Sequence, residues 1–236
     1  PGVNRRNGDS RYDVGTVDGL FFLPARLDVG DALLNRCMMY FETVGDMNTI
    51  YGFASAGGYP FWRGLYCGAE PVCLTHHTHV WTTFMARGFV HHQQSINYLG
   101  VPERRSYRDD LMYEVTDLVL DNASMLQSWK GHHPKRMSAI LDGNSVGWIG
   151  YADLPFLSDY RQKSVVGIYS MGVGQNFRRQ GIASSLINHL FHMAFEQGVS
   201  EILVGTTVEN VAARRTYEKG GMRPIAFRTG TMFRYS

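Results

Sequence analysis

The chain is short of cysteine, of charge imbalance and of long apolar runs, and each shortage removes a class of protein. Three cysteines, Cys37, Cys67 and Cys73, cannot all pair internally and show no Cys-x-x-Cys spacing. This argues against a disulfide framework and for a reducing, cytoplasmic setting. Lysine plus arginine number 23 against 21 for aspartate plus glutamate, so net charge does not point to nucleic acid as a partner. No apolar run approaches the roughly 20 residues that span a bilayer, so a membrane is not an expected partner either. Nucleotide glycine motifs are missing as well. Gly172-x-Gly174 has Phe177 where a dinucleotide fingerprint needs its third glycine, and no Gly-Lys-Ser/Thr closes a P-loop. His76-His77-Thr78-His79, with His91-His92 beyond it, has no cysteine pair or His-Glu-x-x-His helix to complete a tetrahedral site, so no metal is expected. The chain opens at Pro1 rather than methionine, which leaves room for processing or for an upstream segment.

What is present is enough apolar material for a core. With 236 residues, 44% hydrophobic and 13% aromatic, the chain makes one large or two small globular domains. Its most informative stretch begins at Ser164. Residues Ser164 to Val173 are rich in β-branched and aromatic side chains and read as a strand. From Ile182, apolar residues recur at Ala183, Leu186, Ile187, Leu190 and Ala194, one face of a helix, with Gly198 where its C-terminal end is expected. Between them lies the basic turn Arg178-Arg179-Gln180-Gly181. First-turn N–H groups have no intrahelical partners and carry the positive end of the peptide dipoles, so the turn reads as an anion-binding device. A surface helix with an arginine-decorated entry is the plainer alternative.

Two motifs carry a resemblance. Arg178-x-x-Gly181-x-Ala183 resembles the Arg/Gln-x-x-Gly-x-Gly/Ala motif of the GNAT superfamily of acyl-CoA-dependent N-acyltransferases. Asn210-Val-Ala-Ala-Arg-Arg-Thr-Tyr217-Glu-Lys-Gly-Gly221-Met222 is similar to that superfamily's Asn-x6-Tyr-x3-Gly-Phe segment, in the right order and with a strand between. The resemblance implies an α/β (α+β) fold, a mixed, mostly antiparallel twisted sheet flanked by helices. It implies acetyl-CoA as co-substrate and an amine acceptor as partner. Met171, Gly172 and Val173 would hold the pantetheine arm by main-chain bonds. Arg178, Arg179, Gln180, Gly181, Ile182, Ala183 and Ser184 would take the pyrophosphate, and Asn210 joins this binding set, although it is equally a good helix N-cap. Tyr217 would be the general acid toward the departing thiolate, its phenol holding its proton at neutral pH.

The first part of the chain reads as a faded copy of the last. Residues 1 to 13 are polar and read as a loop, Val14 to Leu23 as a strand, and about Gly30 to Val44 as a helix ended by Gly45. Aligned without gaps at an offset of 153, Asp28 lies on Gly181, and Phe84-Met-Ala-Arg-Gly88-Phe89 can be laid on Tyr217 to Met222. This copy lacks the phosphate glycine and the tyrosine hydroxyl, and an aspartate there repels a pyrophosphate. The charged stretch Val101 to Ser106 reads as a linker. The expected domains are therefore a degenerate, partial GNAT-like half over 1–104 and a catalytic GNAT domain over 105–236.

In that second domain Leu111 to Leu120 reads as a strand, Asn122 to Trp129 as a short helix, and Arg136 to Leu141 with Val146 to Ala152 as a hairpin across Asp142-Gly143-Asn144-Ser145. The family places two helices between its first two strands, and here there is room for barely one. The aromatic and glycine-rich residues 54–71 read as an inserted loop suited to walling an acceptor pocket. A general base is not evident. Gly205 stands where some relatives carry a glutamate, and Glu209, Asp153, Tyr169 or a water relay are the remaining candidates, while His189 and His192 read as surface or packing residues. Missing acceptor helices and a missing base favour an alternative, a non-catalytic acyl-CoA-binding sensor or scaffold.

Overall fold

The computed structural model describes residues 2–5, 12–17, 19–44, 47–53, 73–118 and 134–234, in two compact units. The aromatic loop of 54–71, the helix expected over 122–129, Gly45 and Cys67 lie outside the described residues.

The first unit takes described residues as far as 59, those of 69–96 and those of 226–236. It begins with β1 (Gly2–Arg5) and β2 (Tyr12–Val17), paired antiparallel. The loop expected there is thus corrected to a strand: backbone donors and acceptors satisfied by a neighbour make an edge strand even from polar residues. β2 also stops at Val17, short of Leu23. Helix α1 (Leu27–Val44) buries Gly30, Leu34 and Phe41 on one side, and Gly30 is needed because a side chain there would enter the ring of Phe22. β3 (Thr49–Gly52) runs parallel to β2, and the unit continues through β4 (Cys73–Leu74), α2 (Thr78–Ala86) and β5 (Val90–Gly100). Leu34, Phe41, Ile50, Phe84 and Phe89 form its core with Val17.

The second unit takes the described residues of 97–225, so β5 passes into it after Ile96. Its strands are β6 (Met112–Asp117), β7 (Lys135–Leu141), β8 (Asn144–Asp153), β9 (Val165–Val173) and β10 (Glu201–Thr207), ordered β10-β9-β8-β7-β6. Only the β9–β10 pair among these is parallel. This is the mixed, mostly antiparallel sheet flanked by helices that the sequence implies. The β7–β8 hairpin turns at Asp142-Gly143, whose φ angles of 49° and 75° are those of a type I′ turn. Three helices follow the strands: α3 (Pro155–Arg161), α4 (Ile182–Glu196) and α5 (Val211–Lys219). α3 is not anticipated by periodicity, being only seven residues long, but Pro155 sits in its first turn, where a missing N–H costs nothing. β11 (Arg223–Arg234) leaves the unit at Ala226.

The stretch read as a linker is bound down. Arg105 lies 3.8 Å from the centre of the Phe191 ring and donates through Nη1 to the Gly220 carbonyl at 2.6 Å, while Asn188 Nδ2 donates to the Ser106 carbonyl at 3.1 Å. Arginine combines a fork of donors with a face that stacks, so a charged sequence packs here. Beneath it, Gly100 meets Phe191, and a β-carbon at that position would overlap the ring. Gly100→Ala is therefore expected to lower stability by about 1–3 kcal/mol as an overpacked core does, read as a lower midpoint in urea.

Candidate functional site

The parallel strands β9 and β10 pair only from Val165↔Glu201 to Ile168↔Val204, although β9 runs on to Val173 and β10 to Thr207. The cause is local. Against β8, Ile168 pairs with Tyr151 and Ser170 with Gly150, so Tyr169 is the extra residue of a β-bulge. A bulge bends its strand and raises the local twist, and here it coincides with the end of the ladder. Past it, β9 changes from buried to half-buried residues, Met171, Gly172 and Val173 among them. Their main chain stays paired to β8 on one side, through Met171↔Ile149, Gly172↔Trp148 and Val173↔Gly147, and has no pairing to β10 on the other. Such an edge can accept an amide-bearing chain as an added strand.

The chain then turns into α4. Gly174 N–H donates to the Val146 carbonyl at 2.9 Å, one 3-10 turn covers Gln175–Phe177, and Gln180 Nε2 closes the turn on the Asn176 carbonyl at 2.9 Å. Arg179 (φ 62°) and Gly181 (φ 80°) both take left-handed backbone. Gly181 is the N-cap of α4 and supplies no side-chain bond, so the N–H groups of the first turn at Ile182, Ala183 and Ser184 are not capped by it. A β-carbon at Gly181 would meet nothing within 4 Å, which means open space directly before the helix. Arg178 and Arg179 are exposed, and neither forms an ion pair among the described residues; Arg178 Nε donates to the Val173 carbonyl at 3.3 Å. The residues from Met171 to Ser184 thus make a continuous path from an open strand edge to an uncapped helix start. It suits a long arm that ends in a pyrophosphate.

Tyr217 lies on α5, the helix after β10, and is buried, with its ring 5.7 Å from that of Tyr98. Asn210 is the N-cap of that helix and accepts from Ala213 N–H at 3.2 Å, so its Oδ1 is committed to the fold and its amide nitrogen is what remains for a ligand. The C-terminal end is fixed by Gly221 (φ 69°): Met222 N–H donates to Tyr217 O at 3.0 Å and Gly221 N–H to Glu218 O at 3.0 Å. That is a Schellman motif, and its first carbonyl belongs to Tyr217 itself. Among the base candidates, Glu209 and Asp153 are exposed, and the Tyr169 hydroxyl donates to the Lys135 carbonyl at 3.3 Å. Among the described residues no group of three or more His, Cys, Asp or Glu is placed to hold a metal.

The element order β9-α4-β10-α5-β11 has a counterpart in β2-α1-β3-α2-β5, with β4 as an addition between β3 and α2. α2 and α5 are both nine residues long, and α2 ends in the same Schellman geometry, with Gly88 at φ 82° and Phe89 N–H donating to Phe84 O at 3.2 Å. The phosphate end needs a correction. Val29 and Gly30 donate to the Arg26 carbonyl at 3.0 and 3.2 Å, so α1 is entered from Arg26, and Arg26 rather than Asp28 stands where Gly181 stands in α4. The ungapped alignment is two residues out because the helix starts Leu27 and Ile182 are 155 residues apart, against its offset of 153. Asp28 lies inside the first turn, paired with Arg26 at 2.7 Å, which with a backbone N–H holds its carboxyl below the usual range. That carboxylate occupies the place an anion would take. β2 and β3 also do not part: they pair to their last residues, Val17↔Gly52, and Phe53 N–H still reaches Val17 O at 3.0 Å.

Several supports of the site carry no motif. Arg108 Nη1 donates to the Gln180 carbonyl at 2.7 Å, its backbone N–H donates to Ser185 Oγ at 2.8 Å, and its guanidinium is held by Asp110. The Tyr113 hydroxyl shares a 2.6 Å bond with the same Ser185 Oγ, and its ring stacks on His189 at 4.1 Å. Burial holds the His189 imidazole below its ordinary pKa, with the neighbouring His192 adding to the effect, so it packs as a neutral ring. Arg108 therefore fixes the carbonyl just before Gly181 and adds positive charge beside the turn. Arg108→Ala is expected to weaken acetyl-CoA binding about tenfold while leaving S-acetylpantetheine, which has no pyrophosphate, bound as before. Equal losses for both ligands in calorimetry would refute this role.

Strands that part beside an open helix start make a site for a long amide-bearing arm that ends in an anion. Residues 101–222, just over half of the 236, match the Acetyltransferase (GNAT) family, and the chain belongs to that family. Among curated proteins it is 33% identical over 85 residues to the N-acetylaspartate synthetases of Rattus norvegicus and Homo sapiens, covering 36% of this chain and 26% of each of them. It is 29% identical over 111 residues to a probable N-acetyltransferase family 8 member 5 of Mus musculus, covering 47% of this chain and 48% of that protein. The chain thus spans about a quarter of the length of the synthetases it matches. Among solved structures, a tandem GNAT protein from the clavulanic acid biosynthesis pathway superposes with a TM-score of 0.62 at 12% identity, over 94% of this chain and 75% of that one. A GCN5-related glucosamine N-acetyltransferase region of a fungal multi-domain β-N-acetylglucosaminidase gives 0.63 at 13%, over 92% and 29%. At these identities the likeness is one of fold.

Proposed function

We propose that this chain transfers the acetyl group of acetyl-CoA to a primary amine by direct attack, with the described residues of 105–236 carrying the reaction and those of 1–104 a non-catalytic copy. The observation that carries the reading is the end of the β9–β10 ladder at Tyr169, followed along the chain by a helix start whose N-cap, the left-handed Gly181, leaves the first-turn N–H groups without a side-chain cap. The pantetheine arm lies along Met171, Gly172 and Val173, and the pyrophosphate sits over Arg178 to Ser184. A main-chain N–H of β9 polarises the thioester carbonyl. The neutral amine forms the C–N bond, the C–S bond breaks, the thiolate takes the Tyr217 proton, and the proton from nitrogen leaves to water, from which Tyr217 is reprotonated. No metal enters this scheme. No helix among the described residues is long and apolar enough to cross a membrane, and the cysteine usage fits a reducing, cytoplasmic setting.

The named activity of the synthetase relatives puts aspartate and other amino acids at the head of the acceptor panel. Thiol release from acetyl-CoA, measured against amino acids, small amines and peptide N-termini, tests the reading. Turnover with one acceptor class supports it. Calorimetric binding of acetyl-CoA with no turnover on the whole panel selects the sensor or scaffold alternative.

A further inference from the structure

The second unit also takes in residues that precede the matched segment 101–222, Tyr98 among them. Tyr98, on β5, is completely buried. Its hydroxyl donates to Glu218 Oε1 at 2.7 Å and receives Arg214 Nε at 3.4 Å. Arg214 and Glu218 are one turn apart on α5 and lie on either side of Tyr217 in sequence, and the Tyr98 ring itself meets the Tyr217 ring at 5.7 Å with planes 57° apart. Arg214 Nη1 also holds the Val208 carbonyl at 3.0 Å, in the segment between β10 and α5. One phenol therefore ties a strand to two points on the helix and touches the aromatic side chain between them.

We infer that Tyr98 is a positioning residue for Tyr217: it sets the rotation of α5 about its axis and the placement of the Tyr217 ring, so that a residue preceding the matched segment determines how well the general acid is aimed. This rests on the acetyltransferase reading. The physical basis is geometric. A helix can turn or slide slightly on a sheet through apolar contacts alone, whereas a hydroxyl bonded to two side chains one turn apart has a single orientation that satisfies both. Proton donation to a leaving sulfur is sensitive to such placement, since displacements on the order of 1 Å in a catalytic group reduce rates by up to about a hundredfold.

The test is a double-mutant cycle with Tyr98→Phe and Tyr217→Phe. Tyr98→Phe keeps the ring, and Arg214 and Glu218, at i and i+4, can pair with each other once the hydroxyl is gone, so α5 keeps its helical support. Expected is a fall in kcat of about tenfold at unchanged acetyl-CoA Kd, and no further fall when Tyr98→Phe is added to Tyr217→Phe, because placement is immaterial once the acid is absent. An equal fall on both backgrounds, or no fall on the unmodified one, would overturn the inference. A fall accompanied by weaker acetyl-CoA binding would overturn it too. If Tyr217→Phe alone retains full turnover while Tyr98→Phe lowers it, the positioning role fails with the acid; if the unmodified chain turns over no amine at all, it is the acetyltransferase reading that has failed, and this inference with it.

Discussion

Gly181→Asp is expected to abolish acetyl-CoA binding at accessible concentrations while leaving the fold in place. Gly181 has φ 80° and a β-carbon there would meet nothing within 4 Å, so the new side chain finds space, and aspartate is among the residues that tolerate left-handed backbone. The cost to the fold is therefore about 1 kcal/mol. The cost to binding is far larger. A carboxylate at the N-cap accepts from the first-turn N–H groups that would hold the pyrophosphate, and two unit charges 4 Å apart repel by about 4 kcal/mol at an effective dielectric near 20. Solvent at this exposed turn reduces that figure, and a loss of a hundredfold or more in affinity is the expected result. Gly181→Ala separates the two effects, since it brings the backbone strain without the charge and should cost about tenfold or less. Calorimetry of both variants, with far-ultraviolet circular dichroism to show the fold, decides the matter. Near-normal binding by Gly181→Asp would remove the pyrophosphate from α4.

The unmodified chain is expected to bind one acetyl-CoA, and Asp28→Gly to add no second. The sequence already sets two losses in the first copy, Asp28 at the phosphate turn and Phe84 in place of the tyrosine, and the structure adds that the parallel pair β2–β3 stays closed to its last residues and that α1 is entered from Arg26. Two stoichiometric equivalents in the Asp28→Gly chain would show that parted strands are not required for binding.

How much of this was legible in residues depends on the range of the interaction that decides it. The α4 helix, its stop at Gly198 and the Asp142-Gly143 hairpin are local: periodicity and left-handed glycine report them directly, and Val199 N–H reaching Ala194 O at 2.9 Å completes the stop. The bulge at Tyr169 has no such signature, because it is defined by the partner strand, and the end of the β9–β10 ladder coincides with it. Tyr98 is 120 residues from Glu218, and nothing in either neighbourhood announces the pair. Charge misled in the stretch before β6, where Arg105 packs on a ring instead of facing solvent. The strand and helix of the candidate binding path were therefore readable in the residues, whereas the bulge and the end of the β9–β10 pairing were not.

Tyr217→Phe is expected to lower kcat by about 10²–10⁴-fold with little change in acetyl-CoA Kd. The substitution removes one hydroxyl and keeps the ring, which is buried against Tyr98. The Tyr217 contribution to the Schellman end of α5 is a backbone carbonyl, which phenylalanine supplies equally well. Phe84 demonstrates the tolerance within the same chain, since it is fully buried at the matching place in α2, before the same glycine geometry. What is lost is an interaction made as the C–S bond breaks, and an interaction made only in the transition state lowers kcat and kcat/KM together without weakening ground-state binding. Single-turnover measurements with the amine saturating isolate the chemical step from product release. A Tyr217→Phe chain with unchanged single-turnover rate would make Tyr217 a packing residue like Phe84, and the proton for the thiolate would then have to come from water or from another side chain.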